Sequence, residues 1–464
     1  METSYHKIFF SLAAVCALLI PASAISQTMT IEQCEKMALE NNYKLKNSLL
    51  DKKIAVELKK EAFTNYFPVV KGDAASFGAN GAMAKTDIAL PEQLAGAGTT
   101  IPLDMMYNGN MLSVTATQPI FAGGRIKNWN KLAKVGERTG EYKYRMSVNY
   151  IYETTEKYFW QLASLEEKLK TISTIEKQLS SIHGDVAIAV NAGITTRNDL
   201  LKVELQQQDI SSIRFSLEDG IDITKLALRQ FMGDSTAFSG SVTSSGNFDM
   251  NAGFDITYAS ANFDYIAQSG INDSQVSPPR SYYLDPDDAL HRRTEFHLLD
   301  EKVKAAELQK RLEIGKYMPS MGIGAGYVYH DILNMNTNFG MVFATLSVPV
   351  SGWWGGSHSI KASRMKLKQA HNYRTDNSQL LKVDIIQKWN KLNEAYKQLM
   401  LGAESIKSSA ENLRMNRNFY KAGTISISDL LDAQTIYRRS CNKYTDAYAD
   451  YMLRICQYMI ATGR

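Results

Sequence analysis

Residues 192–206 read AGITTRNDLLKVELQ, and residues 422–436 read AGTISISDLLDAQTI. The Ala-Gly and Asp-Leu-Leu elements of these stretches match at a constant offset of 230 residues, which also separates Pro119 from Pro349. Further upstream, an offset of 251 residues relates Ala38-Leu39, Ala55, Tyr66 and Pro68 to Ala289-Leu290, Ala306, Tyr317 and Pro319. Two constant offsets predict that the chain is an internal duplication.

The distribution of proline predicts long helices. Residues 120–277 and 350–464 contain no proline, and proline breaks helix interiors. Apolar residues in both tracts step by three or four, as in a coiled-coil seam: Leu162, Leu165, Leu169, Ile172, Ile175, Leu179, Ile182 and Val186, then Ile385, Trp389, Leu392, Tyr396 and Leu399. A single helix over residues 124–192 would be roughly 100 Å long. Each tract continues past Gly193 or Gly423, which indicates either a helical hairpin or two helices placed end to end.

Short alternating segments lie between the helical tracts. Residues 112–120, 321–329 and 342–350 alternate, whereas the segment after Pro68 alternates poorly. A strand of about ten residues has the length of a transmembrane β-strand, although ordinary soluble hairpins fit the pattern equally well. Four strands cannot close a membrane barrel, so spanning strands would require oligomers, and three copies would supply twelve strands. The connection at residues 80–110 is predicted to be a long Gly-rich and Ala-rich loop, and that at 331–338 a short one.

The repeats and their punctuation predict the domain organisation. Residues 1–24 form a signal peptide, because a lysine precedes a short apolar run that ends in Ala-Ser-Ala. Residues 25–232 and 285–464 are the two repeats, each with a helix, two strands and a long helical hairpin. Residues 233–284 are polar and lack helical periodicity, so they are interpreted as part of a belt around the helices or as partly disordered.

Composition excludes several classes of function. The 464 residues include 52 Lys+Arg against 48 Asp+Glu, a balance that argues against a nucleic-acid partner. Cys34, Cys441 and Cys456 remain after signal cleavage, and this odd number predicts buried free thiols. No phosphate loop, dinucleotide fingerprint, zinc spacing or nucleophile motif is present. We therefore predict no enzyme activity, no metal site and no cofactor.

These features together resemble the TolC-like outer-membrane efflux protein family. The resemblance covers nearly the whole mature chain and rests on the duplication, on Tyr-x-Pro at 66–68 and 317–319, on QPIFAGGR at 118–125 and on the two tips, with residues 420–432 the most specific part. It implies a mainly α fold with β strands. Internally duplicated helical hairpins would build a periplasmic α-barrel, and four strands per chain would contribute to a twelve-stranded trimeric transmembrane β-barrel.

The resemblance also implies a function and partners. Such proteins are passive exit ducts of tripartite efflux pumps or type I secretion systems. The expected partners are two further copies in a homotrimer, a periplasmic adaptor (membrane fusion) protein, an inner-membrane RND or ABC-type transporter and outer-membrane lipid. The expected location is the outer membrane, with a long periplasmic extension.

Three sets of site residues follow from the resemblance. The tip turns that would dock the adaptor are Ala192, Gly193, Ala422, Gly423 and Thr424. Asp429 and Asp432 match the family's acidic rings at the pore constriction. Three copies of each carboxylate would repel, which should raise their pKa values and attract cations.

The third set would hold the tip closed. Asp199 and Tyr420 match family positions with this role, and Arg197 lies in the first tip. The family often has an arginine two residues after the second tip glycine, where this chain has Ile425, so the latch is expected to differ. A plainer explanation also stands for the aspartates, because Asp199 and Asp429 follow polar residues near a helix start and could simply favour the helix dipole.

Two other functions stay open on the sequence. A soluble periplasmic coiled-coil scaffold or adaptor would share the helices, although an adaptor should show one hairpin flanked by lipoyl-like β halves and no duplication. A secreted hydrolase is disfavoured because nucleophile and metal motifs are missing. The sequence does not name the cargo.

Overall fold

The computed structural model describes residues 27–89, 98, 100–105, 107–235, 241–242, 248–249, 254–258, 276–332 and 335–464. The predicted signal peptide lies outside the described residues. Parts of the two predicted loops and much of the inter-repeat segment lie outside them as well.

Helices and strands follow each other in the same order in both halves of the chain. The helices are α1 (Ile31–Asn41), α2 (Tyr43–Thr64), α3 (Arg125–Asn191), α4 (Arg197–Phe231), α5 (Pro286–Arg292), α6 (Thr294–Lys316), α7 (Gly352–Lys421) and α8 (Ile427–Ala461), with a 3₁₀ turn at Pro279–Tyr282. The strands are β1 (Gln27–Met29), β2 (Val69–Gly78), β3 (Ala84–Ala89), β4 (Thr100–Met105), β5 (Asn108–Ala122), β6 (Ser241–Val242), β7 (Phe248–Asp249), β8 (Phe254–Ile256), β9 (Ser320–Ile332) and β10 (Met335–Ser347). The predicted mainly helical fold with a minority of strands is confirmed.

The chain divides into two compact units, each built from both halves. The helical-hairpin unit comprises the chain up to Leu49 together with Tyr144–Phe296 and Gln379–Arg464. The sheet unit comprises Leu50–Lys143 and His297–Ser378.

The sheet unit contains one four-stranded antiparallel sheet in the order β10-β9-β5-β2. Strand β2 forms although its sequence alternates poorly, because it pairs with β5 from Val69 opposite Thr117 to Gly78 opposite Asn108. The register between β5 and β9 shifts between Pro119 and Phe121. Proline lacks the N–H that a ladder requires, which explains an irregularity at this position.

The two faces of the sheet differ in chemistry. Leu112, Tyr329, Val114 and Tyr327 lie on one face, where Leu112 is the partner of Tyr329 and Val114 of Tyr327. The alternate residues, including Ser113 and Thr115, point to the other face. One face is therefore a continuous apolar surface, and its side chains are exposed in the single chain.

The predicted loop at residues 80–110 contains regular structure. Strands β3 and β4 pair as an antiparallel hairpin, with Ile88 opposite Ile101 and both side chains exposed. The alanine and glycine content had suggested a loop, but cross-strand pairing, which a composition count does not register, decides the structure.

Both long helical tracts of the helical-hairpin unit fold back as hairpins. Ion pairs join α3 to α4 in antiparallel order: His183 to Glu204, Glu176 to Arg214 and Glu166 to Lys225. The predicted seam is buried, with Leu162, Ile172 and Leu179 fully inaccessible, and Ile385, Leu392 and Leu399 likewise in α7. Contacts from α3 to α8, such as Gln457 to Glu153 and Lys168 to Asp446, join the two hairpins.

The three predicted thiols are free. Cys34 and Cys441 are buried and Cys456 is half-buried. Among the described residues, every helix falls short of the combination of length and apolarity that a membrane-crossing helix needs.

Candidate functional site

Each helical hairpin turns at a glycine in the left-handed region. Gly193 and Gly423 both have φ of 70°, and a Cβ built on either would meet no atom within 4 Å. In the first tip Gly193 N donates to Val190 O at 3.0 Å and Ile194 N to Ala189 O at 2.8 Å. The second tip repeats both bonds at matching positions. This is the Schellman pattern, so the glycines are required by backbone conformation rather than by contact with a side chain.

The five predicted docking residues are all exposed at these turns. Ala192 and Gly193 end the first hairpin's long helix, and Ala422, Gly423 and Thr424 do the same in the second. Their neighbour Ile194 is 80% exposed. The tips therefore present bare backbone and an uncovered apolar side chain to a partner.

The two tip aspartates are capping residues of the returning helices. Asp199 accepts hydrogen bonds from the hydroxyls of Thr195 at 2.7 Å and Thr196 at 2.8 Å. Asp429 accepts from Ser426 Oγ at 2.7 Å and Ser426 N at 2.9 Å. Each aspartate completes a capping box with the preceding hydroxyl residue. The helix-start explanation thus accounts for their position, and a ring in the oligomer stays a prediction.

These hydrogen bonds stabilise the charged carboxylates. Bonds from Thr195 and Thr196 lower the pKa of Asp199 to about 2, and bonds from Ser426 lower the pKa of Asp429. Both directions are opposite to the rise expected from crowding. Since crowding needs three copies, the predicted rise concerns the assembled ring only. Asp432 is exposed, as is Asp429 one turn earlier.

A groove of about 860 Å³ lies between the two hairpins near their tips. Its walls are polar and apolar in turn, and Tyr420 lines it. Burial raises the pKa of Tyr420, and the charges of Asp199 and Asp185 add to this rise. The structure thus brings together Tyr420 and Asp199, two of the predicted closure residues. Arg197 is exposed at the start of α4.

The groove also contains charged residues that the sequence did not single out. Asp185 comes from α3, together with Lys177, and Arg417 comes from α7. Asp185 and Lys177 lie in the apolar seam region, where their spacing resembles that of ordinary solvated positions. Their convergence depends on the packing of two hairpins and could not be deduced from one of them.

Metal-binding clusters were also sought. Within the described part of the chain, no group of three or more His, Cys, Asp or Glu side chains is placed to hold a metal ion.

Comparisons with known proteins complete the description. The family profile for outer membrane efflux protein matches residues 286–452. No curated protein matches the chain. Among solved structures, the channel CusC superposes with a TM-score of 0.74 at 12% identity over 93% of this chain and 92% of that one.

Two further solved structures are similar over comparable lengths. The CmeC outer membrane channel of Campylobacter jejuni gives a TM-score of 0.73 at 13% identity, covering 93% of this chain and 85% of that one. The outer membrane protein VceC of Vibrio cholerae gives 0.70 at 12% identity, covering 93% and 96%. At these identities the superpositions establish the fold, while the match at residues 286–452 concerns the family. This chain belongs to the outer membrane efflux proteins of TolC-like type, which act at the outer membrane as passive conduits and not as enzymes.

Proposed function

We propose that this chain is one of three identical subunits of an exit duct that carries cargo from an inner-membrane transporter to the cell exterior. The observation that supports the proposal most strongly is the open four-stranded sheet. Its edge strands β2 and β10 each have one unpaired side, and one face is apolar and uncovered. Open edges are not tolerated in lipid, so the sheet must close with other copies. Three copies would give a twelve-stranded barrel.

The helices of the sheet unit support the same closure. Lys59 of α2 pairs with Glu137 of α3, Arg138 of α3 with Glu301 of α6, and Asp300 of α6 with Arg374 of α7. The helices therefore lie in the order α2-α3-α6-α7, which follows the strand order. The two outer helices, α2 and α7, have exposed apolar stripes that a neighbouring copy would cover: Leu50, Ile54 and Leu58 on α2, and Met365 and Tyr373 on α7.

The partners in this proposal follow from the exposed tips. A periplasmic adaptor protein would contact the turns at Gly193 and Gly423, and it would link the duct to an RND or ABC-type transporter. The chain has no motif for nucleotide hydrolysis, so the transporter would supply the energy. The named family members CusC and CmeC are described as channels, which favours this role for a chain of the same fold.

The test is membrane fractionation followed by native mass measurement of the detergent-extracted protein. A trimer in the outer-membrane fraction is expected, and its insertion into planar lipid bilayers should produce ion conductance. A soluble periplasmic monomer would overturn the duct and favour the helical scaffold as the better account. Pull-down with a crosslinker placed at Ile194 would then identify the adaptor.

A further inference from the structure

Two stretches of helix directly beyond the sheet are basic without exception. Residues 123–136 contain Arg125 and three lysines, and residues 352–375 contain five Lys or Arg, yet neither stretch contains Asp or Glu. The stretches include the N-terminal turns of α3 and α7, which have no acidic residue in the first turn. The helix dipole favours acidic residues there and disfavours cations. Local helix stability therefore does not explain this composition.

The basic positions recur in both halves of the duplicated chain. At the offset of 230 residues, Lys131 matches Lys361 and Lys134 matches Arg364. The same offset relates the tip glycines and Pro119 to Pro349, so these matches fall within an alignment established by other residues. Most surface positions differ between the two halves, which makes two retained basic pairs informative.

These four side chains are exposed and form no ion pair with a carboxylate of the described residues. Other lysines of the sheet unit are paired, for example Lys59 with Glu137 and Lys316 with Glu313. The four unpaired cations are therefore not balanced locally. Unpaired charge of one sign that is concentrated on one side creates a field that attracts oppositely charged solutes.

The contacts of α3 show which side this is. Toward α2, Asn130 donates to Ala62 O at 2.9 Å and Glu137 pairs with Lys59, whereas Arg138 pairs with Glu301 toward α6. These contacts leave two free sides of the helix. Spacing by three and four residues places Lys131 and Lys134 together on one of them. The positions of Ile126 and Trp129 place them on the other free side.

The apolar side identifies the exterior. Ile126, Trp129, Leu132 and Leu312 line an open groove of about 640 Å³ between α3 and α6, close to Ala122 at the end of β5. Tryptophan and apolar side chains at the end of a spanning strand are typical of the lipid interface. The lysine side is the opposite one and faces the axis of the proposed trimer.

On the basis of the duct proposed above, we infer that Lys131, Lys134, Lys361 and Arg364 form a basic collar around the lumen just below the membrane, and that this collar favours anionic cargo over cationic cargo. Three copies bring twelve positive charges to one ring-shaped zone. Lumen-facing residues are the ones that tune selectivity in membrane barrels, and the collar adjoins such a barrel. The cargo class that fits is an anionic solute, or an amphiphile with a carboxylate, sulfate or phosphate group.

The experiment measures the reversal potential of the full-length trimer in planar bilayers under a KCl gradient. The collar variant combines Lys131→Gln, Lys134→Gln, Lys361→Gln and Arg364→Gln. Its chloride-to-potassium permeability ratio is expected to fall by about threefold or more relative to the unmodified protein. The difference should shrink in about 1 M salt, where the Debye length is only about 3 Å.

A matched pair of double variants controls for net charge. Lys131→Gln with Lys134→Gln removes two cations from the proposed lumen side, and Arg125→Gln with Lys316→Gln removes two from residues that line the exterior groove. Only the first pair should change the ratio. An unchanged ratio in the collar variant, or an equal fall in the control, overturns the collar while leaving the duct intact. If the unmodified protein forms no conducting trimer, the duct fails and the collar with it.

Discussion

The junction between sheet and helix depends on two consecutive glycines that can be separated by experiment. Gly123 and Gly124 follow β5 with φ of 61° and 73°. A Cβ on Gly123 would lie 2.3 Å from Gly315 O and 2.9 Å from Met318 Cβ. A Cβ on Gly124 would meet nothing closer than Asn128 Nδ2 at 3.7 Å. The same substitution therefore tests conformation alone at one position, and conformation plus close approach at the other.

The expected magnitudes follow from these distances. Alanine in the left-handed region costs roughly 1–2 kcal/mol relative to glycine, which is the whole expected effect of Gly124→Ala. Gly123→Ala adds a contact that side-chain rotation cannot relieve, because the atom it meets at 2.3 Å is a backbone carbonyl oxygen. Overpacking of this kind costs typically about 1–3 kcal/mol more. The difference between the two variants is the quantity predicted.

The assay is equilibrium unfolding of both variants and the unmodified protein in detergent, followed by far-ultraviolet circular dichroism. Gly123→Ala should lower the free energy of unfolding by about 1–3 kcal/mol more than Gly124→Ala does. Equal losses in the two variants would refute the argument, since they would mean that the approach of Gly315 to Gly123 places no steric limit on the junction. Gly193→Ala, at a tip with open space around it, should resemble Gly124→Ala.

Three further outcomes are expected. Burial raises the pKa of Glu156 to about 7, so stability that is complete below about pH 4.5 is lost as pH rises toward 7; Glu156→Gln should remove this loss in unfolding measured at about pH 5 and 8, and a persistent slope would point to another group. Burial raises the pKa of Cys34 to about 12 and of Cys441 to about 11, so iodoacetamide should label these thiols only after unfolding, and rapid labelling of the folded protein would contradict their burial. Asp429→Ala combined with Asp432→Ala should raise single-channel conductance or reduce cation block, whereas unchanged currents would remove the gate assignment but not the fold.

Much of the helical architecture could be predicted because it depends on local rules. The proline-free tracts became α3–α4 and α7–α8, and Gly193 and Gly423 became the turns between them. Seam residues such as Leu179 are buried as the spacing indicated. A left-handed glycine between two long apolar seams permits little else, which is why the sequence was sufficient here.

The features that were missed depend on pairing between distant segments. Strand β2 has weak alternation and is defined by its register with β5. Strands β3 and β4 form within a stretch whose composition suggested a loop. The groove near the tips collects Asp185 and Arg417 from helices far apart in the chain. In each case the decisive contact is non-local, and sequence periodicity reports only on one segment at a time.

The two tips are alike in backbone and different in charge, and this difference bears on the proposed gate. At the offset of 230 residues Asp199 corresponds to Asp429, but Lys202 corresponds to Asp432. Lys202 Nζ lies 3.3 Å from Asp199 Oδ1, so the first tip neutralises its own carboxylate. The second tip has an acid where the first has this base, and it therefore presents two exposed carboxylates one turn apart. Because capping occupies Asp429 with Ser426 while Asp432 stays exposed, a cation-attracting ring would draw its charge from the second half of the chain alone, with Asp432 as its less constrained member.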